Sequence, residues 1–171
     1  MEFNKELIYK IIDNKIDKIR LYFLNEQELN TLYHALNLNH SLKELQLSSN
    51  EIEDITLLCK SLKNNSCLQK LNLSFNKIEN ISPLRFLSNS CLKELNLSCN
   101  KIKDITILRF ISNSCLKKLS LSSNKIKDIT PLKFLSNSCL KYLELANNQI
   151  EDIILLYKYL ENSSCLKKLY I

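Results

Sequence analysis

The sequence predicts an α/β solenoid, with one short parallel strand per unit on one side and short helices on the other. Three observations carry this. The pattern Leu-x-x-Leu-x-Leu-x-x-Asn-x-Ile starts at Leu42, Leu68, Leu92, Leu116 and Leu140, and a sixth unit opens at Leu166. The starts are 26, 24, 24, 24 and 26 residues apart, a period typical of stacked units that bury their apolar side only against their neighbours. Within each unit the second and third leucines, such as Leu95 and Leu97, are two residues apart. That is strand spacing, which points both to the same face.

The elements follow in chain order. Residues 1–15 carry Phe3, Leu7, Ile8, Ile11 and Ile12 at helical spacing and read as a helix capping the first coil. Residues 16–171 are the solenoid, in one domain with the cap. Its first unit is degenerate: Ile16, Ile19 and Leu21 match the strand leucines, and Leu24 stands in place of the Asn. Terminal repeats are expected to be atypical. In the later units Asn50, Asn76, Asn100, Asn124 and Asn148 form a column whose amides are expected to satisfy backbone groups of the following coil. Glycine is absent, so the sharp turns are assigned to Asn and Ser, which take turn geometry readily. The chain then returns along the other side. Thr130 is expected as a helix N-cap, Pro131 as the first helical residue and Asn137 as a left-handed cap. Ser82-Pro83 matches that start. The first and last complete units have two extra residues here, which predicts longer helices.

The repeated residues resemble leucine-rich repeat proteins over residues 16–171. Asp128-Ile-Thr-Pro-Leu and Asn80-Ile-Ser-Pro-Leu look like the internalin type. The 26-residue units with Ser-Cys-Leu junctions look more like the ribonuclease-inhibitor type. The resemblance implies a curved right-handed solenoid, with the sheet concave and the helices convex, that binds other proteins.

Composition bounds the function. With 171 residues, 45% of them hydrophobic, the chain can bury an adequate core. No apolar run is long enough for a membrane span and no secretory apolar segment opens the chain. The expected compartment is the cytoplasm. Abundant Lys, Asn and Ile, with their AT-rich codons, hint at an intracellular pathogen or a virus, for which this would be the host cytoplasm. Five of seven cysteines, Cys67, Cys91, Cys115, Cys139 and Cys165, share one repeat position. Disulfide and zinc columns are the sharp readings. A buried, reduced ladder is favoured, because free cysteine packs as a small apolar residue and no Cys-x-x-Cys occurs. Cys99 lies instead at a strand end, in a column with Ser49, Phe75 and Ser123. The Asn-x-Ser triplets at Asn39, Asn64, Asn72, Asn80, Asn96 and Asn162 read as chance products of an Asn- and Ser-rich chain. Phe86, Phe110 and Phe134 recur once per unit and read as an aromatic spine in the convex core.

No catalytic, metal or cofactor constellation is spelled out, and without glycine a Gly-rich phosphate loop is excluded. The net charge of +6 raises nucleic acid as a partner, but Lys18, Glu44, Lys70, Glu94, Lys118, Tyr142 and Lys168 alternate sign across the exposed sheet face. The surplus falls on a rim at Lys43, Lys93, Lys117, Lys141 and Lys167, and on a convex column at Arg85, Arg109 and Lys133. Neither shows the interleaved aromatics of a single-strand binder.

The expected function is therefore non-enzymatic protein binding through the concave face. Small polar groups, Ser48, Asn72, Ser74, Asn96, Ser98, Ser120 and Ser122, form its middle. Arg20 and Tyr22 stand at one end, Tyr142 and Tyr170 at the other, and Phe75 assists. Arg and Tyr are favoured at interface hot spots. A basic-rim module for nucleic acid or anionic membrane is the alternative, and a self-assembling structural element a third. The last unit stops at Ile171, after its strand, leaving an apolar edge at Leu169 and Ile171. A two-fold homodimer through that edge, a longer array, or a tolerated short strand would each account for it.

Overall fold

A computed structural model describes residues 2–88, 90–111, 115–136, 138–161 and 163–171, with the side chain of Ile111 excepted. The expected Asn137 cap and the Asn162 triplet lie outside these residues. Seven strands, β1 (Lys18–Arg20), β2 (Glu44–Gln46), β3 (Lys70–Asn72), β4 (Glu94–Asn96), β5 (Lys118–Ser120), β6 (Tyr142–Glu144) and β7 (Lys168–Tyr170), form one parallel sheet in sequence order. The register follows the repeat: Ile19, Leu45, Leu71, Leu95, Leu119, Leu143 and Leu169 line up across it. All but Leu169 are buried, as are Leu47, Leu73, Leu97, Leu121 and Leu145 behind them. Burying each such side chain is worth roughly 1.5–3 kcal/mol.

Helix α1 (Lys5–Ile12) packs Leu7 and Ile11 into the core against α2 (Glu26–Leu38). Asn25 and Glu28 form a reciprocal capping box at the start of α2, which satisfies two N-terminal donors. The return side then carries α3 (Thr56–Ser61), a 3-10 segment Ser82–Leu87, α4 (Leu108–Ile111), a second 3-10 segment Thr130–Leu135, and α5 (Ile153–Leu160).

Helix lengths only partly match expectation. The last complete unit has the longer helix, eight residues, but α3 has six, as many as Ser82–Leu87. The difference lies in the winding. A 3-10 segment rises roughly 2.0 Å per residue against 1.5 Å for α, so two of the shorter units cross the convex side by winding tighter. The helix start also differs. Thr130 is the first residue of its segment, and its N–H is held by Asp128 Oδ1 at 2.8 Å. Asp54 and Asp104 do the same for Thr56 and Thr106, and Asn80 for Ser82.

The Asn column bonds backward, not forward as expected. Asn76, Asn100, Asn124 and Asn148 donate Nδ2 to Leu47, Leu73, Leu97 and Leu121 in the preceding coil, at 2.9–3.0 Å. Their Oδ1 atoms accept from Ile52, Ile78, Ile102 and Ile126, also one coil earlier. The left-handed turn residue is the one before each Asn, or before Leu24 in the first unit: Phe23, Ser49, Phe75, Cys99, Ser123 and Asn147 all have φ of 55–58°. Only one of these is Asn, so the Asn column is spent on satisfying backbone rather than on supplying the turn.

A second buried Asn pair fixes the opposite turn. Asn39 and Asn65, 1% and 2% exposed, accept from the N–H groups of Leu42 and Leu68. Asn39 is therefore a structural amide.

Candidate interaction face

Three rows run across the concave sheet. The central row is Arg20, Gln46, Asn72, Asn96, Ser120, Glu144 and Tyr170, in register across all seven strands. It holds four of the expected site residues, with Arg20 and Tyr170 at opposite ends. At roughly 4.8 Å per strand they stand about 29 Å apart. Tyr142 belongs to the neighbouring row with Lys118 and Lys168. Tyr22 leads the third row, just beyond the strand ends, and Phe75 stands on the rim there, 62% exposed.

At the first end the side chains are wired together. Arg20 Nη2 lies 3.2 Å from Glu44 Oε1, Gln46 Nε2 donates to that same oxygen at 2.6 Å, and Tyr22 donates to Gln46 Oε1 at 3.4 Å. Burial pulls the Glu44 pKa up, but hydrogen bonds from Arg20 and Gln46, with the charges of Arg20 and Lys18, outweigh it and hold it below the usual range. Glu144 repeats this at the far end. Its burial is outweighed by hydrogen bonds from Lys118 and Ser120 and by the Lys118 charge.

The alternating charges therefore pair, though not always straight across. Lys70 meets Glu94 directly at 2.8 Å, whereas Glu44 turns diagonally to Arg20 and Lys118 to Glu144 at 2.7 Å. In the middle Asn72 and Asn96 are half-buried. Each accepts at Oδ1 from the N–H two residues on, Ser74 and Ser98. Their Nδ2 donors have no partner among the described residues. Two expected surface groups are instead buried: Ser74, and Ser120, which donates to Glu144 Oε2 at 2.6 Å. The long acidic side chain on the next strand covers Ser120.

Three further expectations are corrected. The cysteine ladder is not buried. Cys91, Cys115 and Cys139 are exposed and Cys67 and Cys165 half-exposed; the buried thiol is Cys59, outside the ladder. The interior position of that turn is taken by Asn39, Asn65 and Ser138, which bond the backbone, so the ladder position one or two residues later faces out. The phenylalanine column is not a core spine either. Phe110 and Phe134 are 49% and 41% exposed and Phe86 half-buried. The basic convex column does have aromatics beside it: Arg85, Arg109 and Lys133 sit over the rings of Phe86, Phe110 and Phe134 at 4.9, 4.5 and 5.3 Å. These are cation–π contacts at a surface.

One prominent group escaped the sequence reading. Phe23, 86% exposed and left-handed, occupies the Phe75 column in the degenerate unit. Extending that column one unit back would have found it.

A family model for leucine-rich repeats in pairs matches residues 40–86, 68–110, 92–137 and 114–158. The chain belongs to the leucine-rich repeat family. Among solved structures it is similar to an internalin (inlF) from Listeria monocytogenes, at 23% identity and a TM-score of 0.65, over 92% of this chain and 48% of that one. This repeat chain thus spans about half the length of that internalin. It is also similar to internalin C2 from the same organism, at 25% identity and a TM-score of 0.60, over 95% of this chain and 82% of that one. The repeats are therefore of the internalin-like type. A search of curated proteins gives no match. No helix among the described residues is long and apolar enough to cross a membrane.

Proposed function

We propose that this leucine-rich repeat chain is a non-enzymatic module that binds a protein partner through its concave face. The observation that carries this is the central row, which sets Arg20 and Tyr170 at the two ends of seven strands with the polar side chains of Gln46, Asn72, Asn96, Ser120 and Glu144 between them. Tyr22, 45% exposed, and Phe75 add apolar area beside the first end. Arg and Tyr anchors flanking a wet polar centre suit a protein surface. The exposed thiols of Cys91, Cys115 and Cys139 favour a reducing compartment such as the cytoplasm. An extract of the native cell passed over the immobilised chain, beside an Arg20→Glu/Tyr170→Ala variant, tests the reading. A protein held by the wild type and lost from the variant is expected. Equal retention by both overturns the concave assignment.

A further inference from the structure

Four successive coils carry the same kind of pair on their convex side. Arg85-Phe86, Arg109-Phe110, Lys133-Phe134 and Tyr157-Lys158 recur at intervals of 24 residues, so each coil presents one cation and one aromatic ring. The leucine before each pair, Leu84, Leu108, Leu132 and Leu156, is buried, which fixes the pair at the same outward turn of every coil. In the first three the cation lies over the ring, at 4.9, 4.5 and 5.3 Å. Phe110, Phe134 and Tyr157 nevertheless stay exposed. The segment Thr130–Leu135 packs between α4 and α5, so the column runs on from coil to coil there.

The column is also where positive charge is left over. Elsewhere the lysines are neutralised one by one: Lys70, Lys77, Lys118 and Lys127 each meet a glutamate at 2.7–3.1 Å. Arg85, Lys133 and Lys158 join no ion pair among the described residues. No Asp or Glu falls within 82–88, 105–111, 129–136 or 153–160. The carboxylates just before three of these stretches, Asp104, Asp128 and Asp152, accept from the backbone N–H groups of Thr106, Thr130 and Leu155. Asp128, whose pKa is held down chiefly by its bonds to Thr130, also feels the Lys133 charge. Part of the net charge of +6 therefore stands on the convex side, interleaved with rings.

We propose that this convex column binds a single-stranded nucleic acid. Such a polymer repeats one anionic phosphate and one flat base per unit, and the column repeats one cation and one ring per coil. The phosphate meets the cation, and the base stacks on the exposed side of the pair, as bases do on aromatic rings and on guanidinium planes. A duplex keeps its base faces hidden and offers the column charge alone. An acidic peptide supplies charge without a flat partner for the rings. A membrane surface is met by apolar side chains that reach past the cations, whereas here each of the three phenylalanine rings has a cation lying over it. The site is on the opposite side of the solenoid from the concave row and leaves that row free for a protein.

The test is fluorescence anisotropy of a labelled oligothymidylate titrated with the full chain, starting at about 50 mM salt. A duplex of equal length, a polyglutamate peptide and phosphatidylserine vesicles are the parallel arms. The oligothymidylate should bind, and its log affinity should fall against log salt with a slope of about −3, as four neutralised phosphates give in a single strand. Arg85→Gln/Lys133→Gln should halve that slope. Phe110→Leu/Phe134→Leu should retain the slope but weaken binding roughly fivefold or more, the lower end for one base–ring stack. Both variants should fold, because they change side chains on the surface; their thermal midpoints verify this. Tyr170→Ala, on the concave face, should bind the oligothymidylate like the wild type, and the duplex, the peptide and the vesicles should each bind more weakly. No binding of the oligothymidylate, a slope unchanged in the cation variant, full affinity in the ring variant, loss in Tyr170→Ala, or any of the other three ligands bound as tightly would each overturn the proposal.

Discussion

The side-chain amide of Asn124 donates to the carbonyl of Leu97 in the preceding coil at 2.9 Å, and accepts from the Ile102 N–H of that same coil at 3.0 Å. One residue thus ties two coils together where neither helix nor strand bonds reach. Asn124→Ala is expected to cost about 2–4 kcal/mol, because it strands buried backbone groups. Asn148→Ala, at a half-buried position near the end, should cost about 1 kcal/mol. Urea unfolding checks both, and equal losses would contradict the burial argument.

The two faces of the sheet predict opposite sensitivities. Lys70→Glu breaks an exposed pair with Glu94 and should cost about 0.2–1 kcal/mol. Leu119→Ala empties a site with 0% exposure and should cost about 2–5 kcal/mol. Chemical denaturation that ranks them the other way would reverse the assignment of faces.

Thiol reactivity separates the ladder from the core. Cys91, Cys115 and Cys139 should be labelled promptly in the native chain, since they are exposed. Cys59 should be labelled only on unfolding. It is buried, and burial with the nearby Asp54 pushes its pKa up to about 12, which suppresses the reactive thiolate. Mass spectrometry of a timed labelling series reads this directly. Prompt native modification of Cys59 would contradict it.

Acid should loosen both ends of the concave face. Glu44 and Glu144 have folded pKa values below their ordinary 4.5. Their stabilising contribution is therefore complete above that value and is lost as pH falls through the depressed folded values. Thermal midpoints measured downward from about pH 6 should drop below 4.5, and Glu44→Gln/Glu144→Gln should flatten that drop. An acid limb of the same steepness in the variant would assign the effect to other carboxylates.

Much of the fold was legible because strand leucines carry their own period: Leu45, Leu71, Leu95, Leu119 and Leu143 fall in one register without any tertiary information. What was not legible is what period cannot encode. Recurrence of Cys91, Cys115 and Cys139 marks a repeat position but not its side of the coil; Asn65 and Ser138, which bond the turn backbone, take the inner place. The same holds for Phe110 and Phe134, whose rings lie outward under cations. The column of Asn100 and Asn124 was visible, but not the direction of its bonds. For the site, Arg20, Asn72, Asn96 and Tyr170 could be placed in one row by counting. The burial of Ser120 under Glu144 depends on a side chain two dozen residues away. Phe23 lay within a degenerate unit where the count was weakest.

The most direct measurement is the affinity of the captured protein for single-site variants of the two faces, determined by calorimetry. Arg20→Ala and Tyr170→Ala, at opposite ends of the central row, are each expected to weaken binding by about tenfold or more, as hot-spot anchors do. Phe110→Ala, on the convex side, should leave affinity unchanged. Loss of binding on Phe110→Ala with both concave variants unaffected would contradict the concave face as the place where this chain meets its partner.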